Sequence, residues 1–218
     1  VVHAVNDAFH GAPQFPALDL LTFCVLVLRN GFTVTGESAC ASPENFDAEV
    51  VPVSVPQKKG EPKPFERDEG FRADASLESL GKLRALMKGG SVTAGNASQQ
   101  NDASAACLIV AEDKLHELNL TPMASLVGWA AAGCEPSRMG IGPVPAVKKL
   151  LARLGLGMQD MDLVEINEAF ACQVLAVLQG LEWNDAERLN VNGSGISLGH
   201  QIGATGVRIL ATLLHELD

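Results

Sequence analysis

Apolar residues at Leu77, Leu80, Leu83 and Leu86 recur every three positions, so residues 76–86 predict an amphipathic helix with Ser76 as its N-cap. Residues 49–55 alternate with β-branched side chains and carry Pro52, which predicts an edge strand. The stretch 57–70 sets Lys58, Lys59, Lys63 and Arg67 among acids and prolines and reads as a loop. Residues 91–98 are a turn of small residues. Residues 102–117 are Ala-rich and hold a helix and a strand (106–110) in one order or the other. The nearly all-apolar run 124–132 predicts a buried strand. Residues 140–145 form a Gly/Pro turn, with Pro145 starting a helix over 146–154. A strand over 160–166 and a helix over 168–179 follow. After them come a Gly-rich strand and turn over 189–198 and a long apolar helix over 203–217. Strands alternating with helices predict a layered α/β fold. Residues 1–40 show no comparable order: Asn6 to Phe9 is helical in pattern, Pro13 and Pro16 interrupt it, and residues 18–28 have no clean period.

Composition narrows the classes. Hydrophobic residues make up 47% and charged residues 19% of the 218, which excludes a disordered chain. A net charge of -10 repels phosphate backbones, so nucleic acid is not an expected partner. A local basic patch still leaves room for a phosphorylated ligand. Cys24, Cys40, Cys107, Cys134 and Cys172 are odd in number and lack a paired spacing, which points to reduced thiols and a cytoplasmic setting. No signal peptide is visible, and the apolar stretch 17–28, broken by Asp19 and Thr22, is too short to span a bilayer, so no membrane role is expected.

Two constellations carry chemistry. In Leu163-Val164-Glu165-Ile166-Asn167-Glu168-Ala169-Phe170-Ala171 an apolar strand ends on a polar pair at a helix start. There Asn167 either orients a water or donates to a developing oxyanion, or it simply caps the helix. The second runs from Asn190-Val191-Asn192-Gly193 through Leu198-Gly199-His200-Gln201 to Gly203-Ala204-Thr205-Gly206, with five glycines in its last fourteen residues. Glycines allow close backbone approach, and His200 at a helix mouth is either a neutral acid/base group or a turn residue.

Taken together and in order, these segments resemble the thiolases, the acetyl-CoA acetyltransferases and their relatives. Val92-Thr93-Ala94-Gly95-Asn96-Ala97-Ser98 and Met139-Gly140-Ile141-Gly142-Pro143-Val144-Pro145-Ala146 resemble the same family upstream, and the likeness covers residues 46–217. It implies an incomplete, thiolase-like layered αβα fold. Residues 1–98 would be part of the coenzyme A-binding loop domain, with 12–40 atypical, and 99–218 a truncated C-terminal domain. The implied function is acyl-CoA C-acyl transfer: Claisen condensation, or thiolysis of a 3-ketoacyl-CoA in fatty acid metabolism. His200 would be the base that activates a nucleophilic cysteine, and Asn167 would hold a water completing an oxyanion hole. Ser98 would lie beside the pantetheine arm, with Ala94 nearby and Phe170 lining the acyl pocket. Arg72 and Ser79 would meet the coenzyme A nucleotide. Coenzyme A or acyl-CoA enters as substrate, with no permanently bound cofactor or metal, and a homo-oligomer is the family's habit.

The chain also departs from that pattern. Neither of the family's two catalytic cysteines is matched, so the expectation is a fragment without the nucleophilic half, inactive as this chain. Cys172 reads as a small buried hydrophobe. Gln201 stands where the family has proline, which would loosen the turn that aims His200. Residues 1–11 resemble the family's approach to the coenzyme A loop, but 12–40 do not continue it and read like a shifted frame or splice. Within the family the acetyl-CoA acetyltransferase branch is the first expectation, while residues 56–62 resemble 3-oxoadipyl-CoA thiolases. Two other readings stand beside it: a non-catalytic acyl-CoA or lipid-binding protein on this fold, and an unstable pseudogene product.

Overall fold

A computed structural model of the chain describes residues 46–67, 72 and 74–217; the expectations for residues 1–45 lie outside them. The described elements are β1 (Val53–Val55), β2 (Lys63–Phe65), α1 (Leu77–Gly81), α2 (Glu112–Leu118), α3 (Pro143–Leu154), α4 (Ala171–Leu181), α5 (Gly195–Leu198) and α6 (Thr205–Leu217), with 3-10 turns at Pro136–Ile141 and Met158–Asp160.

Two compact units interleave along the chain. One takes Ala106–Asp162 and Ala176–Trp183, the other Ala105 and the described residues before it, Leu163–Leu175 and the described residues from Asn184 on. Helix α4 therefore begins in the second unit and ends in the first.

In the first unit α3 is the organiser. Pro143 occupies its first turn, where a missing N–H costs nothing, and Gly155 closes it at φ 68°. Its apolar stripe Ala146, Val147, Leu150 and Leu151 is buried, as are Val177 and Leu181 of α4. The helix thus starts earlier than Pro145, because Gly142 and Pro143 already hold helical backbone geometry. The expected buried strand at 124–132 is not formed. Leu126, Val127 and Trp129 are about half exposed, and no ladder partner lies beside them among the described residues. A strand exists only through a neighbour's hydrogen bonds, and this segment instead receives side chains of α3: Lys149 donates to the Ala131 carbonyl (3.1 Å) and Arg153 to that of Trp129. Of the helix and strand expected in 102–117, the helix forms, as α2, and 106–110 carries no strand.

In the second unit β1 and β2 pair antiparallel, Val53 opposite Phe65 and Val55 opposite Lys63. The edge strand is present but short, and the loop expected over 57–70 contains its partner. Ser76 caps α1 with a reciprocal box, its hydroxyl accepting from Ser79 N (3.1 Å) while Ser79 Oγ accepts from Ser76 N (3.0 Å). The helix ends at Gly81 rather than 86, and Leu77 is 91% exposed, so no buried stripe extends it. The expected strands at 160–166 and 189–198 reduce to one parallel bridge, Val164 with Leu189, followed by the four-residue α5. Helix α6 closes the chain, burying Leu213 and Leu217.

Candidate active site

Three segments of the second unit converge, held by backbone hydrogen bonds. Residues 96–100 act as a strap. Ser98 N donates to Ala169 O (2.9 Å) and Ala171 N to Asn96 O (2.9 Å), so 96–98 runs antiparallel to 169–171 with Ala97 opposite Phe170. The strap then turns to the third segment, where His200 N donates to Gln99 O (2.8 Å) and Gln100 pairs with His200. The small-residue turn 91–98 thereby becomes the piece that joins the two motifs. Asn96 shapes it, its Oδ1 accepting from Thr93 N (2.7 Å) and its Nδ2 donating to Ser91 O (2.9 Å).

Between those motifs Asn190 works as a clamp. It sits at φ 47°, in the left-handed region that Asn tolerates, and is buried. Its Oδ1 accepts from Ile166 N (2.7 Å) and its Nδ2 donates to Ile166 O (2.9 Å) and Glu168 Oε1 (3.1 Å). Ser194 Oγ adds a second donor to Ile166 O (3.0 Å). One side chain thus replaces the next rung of the ladder begun at Val164, and it fixes the residues on both sides of Asn167.

Asn167 and His200 meet. Asn167 Nδ2 lies 3.3 Å from His200 Nδ1, and Asn167 Oδ1 is buried without a protein partner. Gly195 makes room for them: a Cβ there would fall 2.7 Å from Asn167 Oδ1 and 2.8 Å from the Glu168 carbonyl. Gly199, at φ 94°, holds a backbone shape that L side chains rarely adopt, and a methyl on it would run into the Asn101 amide. Gly195 is therefore demanded by the close approach of Asn167 and Glu168, and Gly199 by its positive φ beside Asn101.

Three local expectations change. Asn167 is not a helix cap, because α4 begins only at Ala171. His200 is not in the first turn of a helix. Four residues separate it from Thr205, and the N–H groups of Ala204 and Thr205 are already taken by the Gln201 carbonyl (2.9 Å each). Gln201 does not loosen that turn. It is buried, and its Nε2 donates to Leu198 O (3.1 Å) while its carbonyl also accepts from Thr205 Oγ1 (2.8 Å). A side-chain amide supplies by hydrogen bonds the rigidity a proline ring would supply covalently.

The remaining candidates are distributed. Phe170, with Leu86, Met87, Gly90 and Val92, lines an apolar cavity of about 270 Å³. Ser98 lies on the strap and Ala94 is exposed on the preceding turn. Ser79 is engaged in the α1 cap, and Arg72 is exposed, its carbonyl accepting from Ala75 N (3.3 Å). None of Ala94, Ser98, Arg72 or Ser79 lines that cavity. Cys172 is exposed, not buried: it falls on the outer face of α4, while Val174 and Val177 take the inner one. No hydrogen bond joins Cys107, Cys134 or Cys172 to His200.

The same unit holds further buried polar groups to which the sequence assigned no role. Glu165, two residues before Asn167, has a fully buried Oε2 without a hydrogen-bond partner. Burial pushes its carboxyl up to about 8; Arg208 pulls against that, while Glu168, Glu216 and Glu49 add to it. Burial likewise raises Glu49, which accepts from Thr212 Oγ1 (3.1 Å). Asn192 Nδ2 donates to Glu216 Oε2 (2.7 Å). The one available signal was the density of Asn and Glu in otherwise apolar stretches, since buried polar groups need partners.

With this geometry in place, comparison with known proteins is informative. The family profile for the thiolase C-terminal domain matches residues 120–218, and that for the thiolase N-terminal domain matches residues 35–113. A further profile, described as the phage protein (N4 Gp49/phage Sf6 gene 66) family, matches residues 2–52, a range that contains the atypical 12–40. An acetyl-CoA acetyltransferase of Chromobacterium violaceum is 48% identical over 194 residues, 87% of this chain and 49% of that protein. Among solved structures, the Bacillus anthracis acetyl-CoA acetyltransferase superposes with a TM-score of 0.76 at 48% identity, covering 79% of this chain and 44% of its own. The human mitochondrial 3-ketoacyl-CoA thiolase gives 0.71 at 46% identity over the same shares. The chain spans about half the length of the relatives it matches. Its fold is the thiolase-like α/β fold, in part, and the chain belongs to the thiolase family.

Proposed function

We propose that the Asn167–His200 pair is the oxyanion and base half of an acyl-CoA C-acyltransferase site, in the acetyl-CoA acetyltransferase branch. The observation that carries this reading is the 3.3 Å contact between the two side chains, each fixed by its own backbone clamp and both joined through one strap. Two groups preorganised in a partly water-excluded setting stabilise developing negative charge without reorganising when it appears. The names of the most similar relatives support the branch.

In this reading the acyl group lies toward Phe170 and the apolar cavity beside it. Ser98 and Ala94 flank the pantetheine arm, and Arg72 and Ser79 lie toward the nucleotide. Asn167 orients a water that donates to the enolate oxygen of the bound thioester. His200 Nε2 takes the proton of an attacking thiol, and the resulting imidazolium returns it to the departing thiolate, which leaves as a thiol. Residues 1–98 serve as part of the coenzyme A-binding loop domain and 99–218 as the C-terminal domain. Acyl-CoA is the substrate, coenzyme A is not held permanently, and the complete enzyme is a homo-oligomer working in the cytoplasm, without nucleic-acid or membrane partners.

The 218-residue chain by itself binds the thioester without turning it over, because none of its described cysteines is hydrogen-bonded to the base. Acetoacetyl-CoA and coenzyme A mixed with the purified chain test this by the absorbance of the acetoacetyl enolate. The signal is expected to stay constant; its decay at a rate proportional to protein, abolished in His200→Gln, would refute the inactive assignment.

A further inference from the structure

His200 belongs to a short polar chain that the two motifs do not announce. Its Nδ1 lies 2.9 Å from Thr205 Oγ1, and that hydroxyl donates to the Gln201 carbonyl across 2.8 Å. Thr205 is buried and opens α6, so its hydroxyl is held in place by the helix it starts. The other ring nitrogen, Nε2, takes no hydrogen bond among the described residues.

A neutral imidazole carries one proton, and the partner of one nitrogen decides which nitrogen holds it. A hydroxyl also has one proton to give. Once Thr205 donates to Gln201, its oxygen faces the ring as an acceptor, and the group that matches it is a protonated Nδ1. We infer that Thr205 is a positioning residue that holds His200 as its Nδ1–H tautomer and leaves the Nε2 lone pair free. The inference rests on the reading of His200 as a base and deepens it, because only an unprotonated Nε2 can accept a proton from a thiol. Asn167 follows from the same constraint. The two ends of an amide have the same shape, and beside a protonated Nδ1 the amide turns its oxygen to the ring. The amide nitrogen then faces the buried position that no protein group reaches among the described residues.

The rival arrangement is concrete. The Gln201 carbonyl already accepts from Ala204 N and Thr205 N, so a Thr205 hydroxyl turned to the ring would leave Nδ1 as acceptor and put the proton on Nε2. Two-bond proton–nitrogen spectra of the 15N-histidine-labelled chain separate the two, with His200→Gln assigning the signals. The neutral ring in the wild-type chain is expected as Nδ1–H with Nε2 unprotonated. Thr205→Ser, which keeps the hydroxyl, preserves that state. Thr205→Val removes the acceptor and shifts the tautomer ratio toward Nε2–H by about fivefold, the worth of one ordinary hydrogen bond. A wild-type ring protonated at Nε2, or an unchanged ratio in a Thr205→Val chain that circular dichroism finds folded, overturns the inference. No coenzyme A derivative enters this readout. A chain with the Nδ1–H ring that fails to bind a thioester would therefore remove the functional reading and leave the tautomer assignment standing.

Discussion

Residues 163–205 and residues 124–132 are both rich in apolar side chains, and they differ in where their backbone polar groups go. In the first stretch the Ile166 peptide is met on both sides by Asn190, its carbonyl also by Ser194, and the turn at His200 is closed by Gln201 and Thr205. In the second, Leu126, Val127 and Trp129 stand about half exposed, and two carbonyls are reached only by long side chains from α3. The first segment brings its own partners within about thirty residues of sequence. The second has the composition of a strand but no adjacent strand among the described residues, and composition alone forms no ladder. Local polar wiring thus holds a site in shape where sheet architecture is nearly absent.

The sharpest way to break the apolar side of this comparison is Leu150→Ala. Leu150 is fully buried in α3, and its Cδ1 would lie 3.1 Å from a Cβ at Gly128, so it supports the 124–132 segment. Urea unfolding monitored by tryptophan fluorescence should show a loss of about 3 to 4 kcal/mol. On the polar side, Gly199→Ala forces an L side chain to φ 94° against Asn101, with an expected cost of about 2 to 3 kcal/mol and displacement of His200. If that variant melts with the wild type, the close approach at Gly199 is not a constraint.

Glu165→Gln probes the same network through pH. The folded carboxyl is held up to about 8 against an ordinary 4.5, so the folded state keeps a proton that the unfolded state releases between those values. Stability must therefore fall as pH rises from 4.5 toward 8, and it levels off above. The amide removes that loss. It should match the wild type near pH 4.5, exceed it by a margin that grows as pH rises toward 8, and keep a constant margin above that. Equal slopes for both proteins across the window would sink the assignment. The smallest effect belongs to Leu126→Ser. A half-exposed, unpaired residue should change stability by no more than about 0.5 kcal/mol while lowering the binding of an apolar dye.

These two regions also mark what was legible in the sequence. The Ser76 cap, the α3 stripe and the apolar α6 follow from local rules, since caps and 3.6-residue periods are written in neighbouring residues. The sheet was overread: 124–132, 160–166 and 189–198 look like strands but keep at most one bridge. Pairing is a property of two segments, and a single segment does not encode whether the other stands beside it. Asn167 and His200 were found as motif residues. Asn190, Thr205 and Glu165 lie inside those motifs but take no role from the sequence, because their meaning lies in contacts to residues 5 to 24 positions away or in burial. The expectation for Cys172 failed for a simpler reason: one step in phase around α4 exchanges the inner face for the outer.

The central claim is that Asn167 and His200 together read a thioester carbonyl. Its most direct test is calorimetric titration of the chain with acetoacetyl-CoA and, in parallel, with free coenzyme A. The account predicts that the thioester binds about tenfold more tightly than coenzyme A, an advantage worth one or two charge-assisted hydrogen bonds, and that Asn167→Ala and His200→Ala each erase it while leaving coenzyme A affinity in place. Equal affinity for the two ligands in the wild-type chain, or an advantage that survives both substitutions, would contradict it.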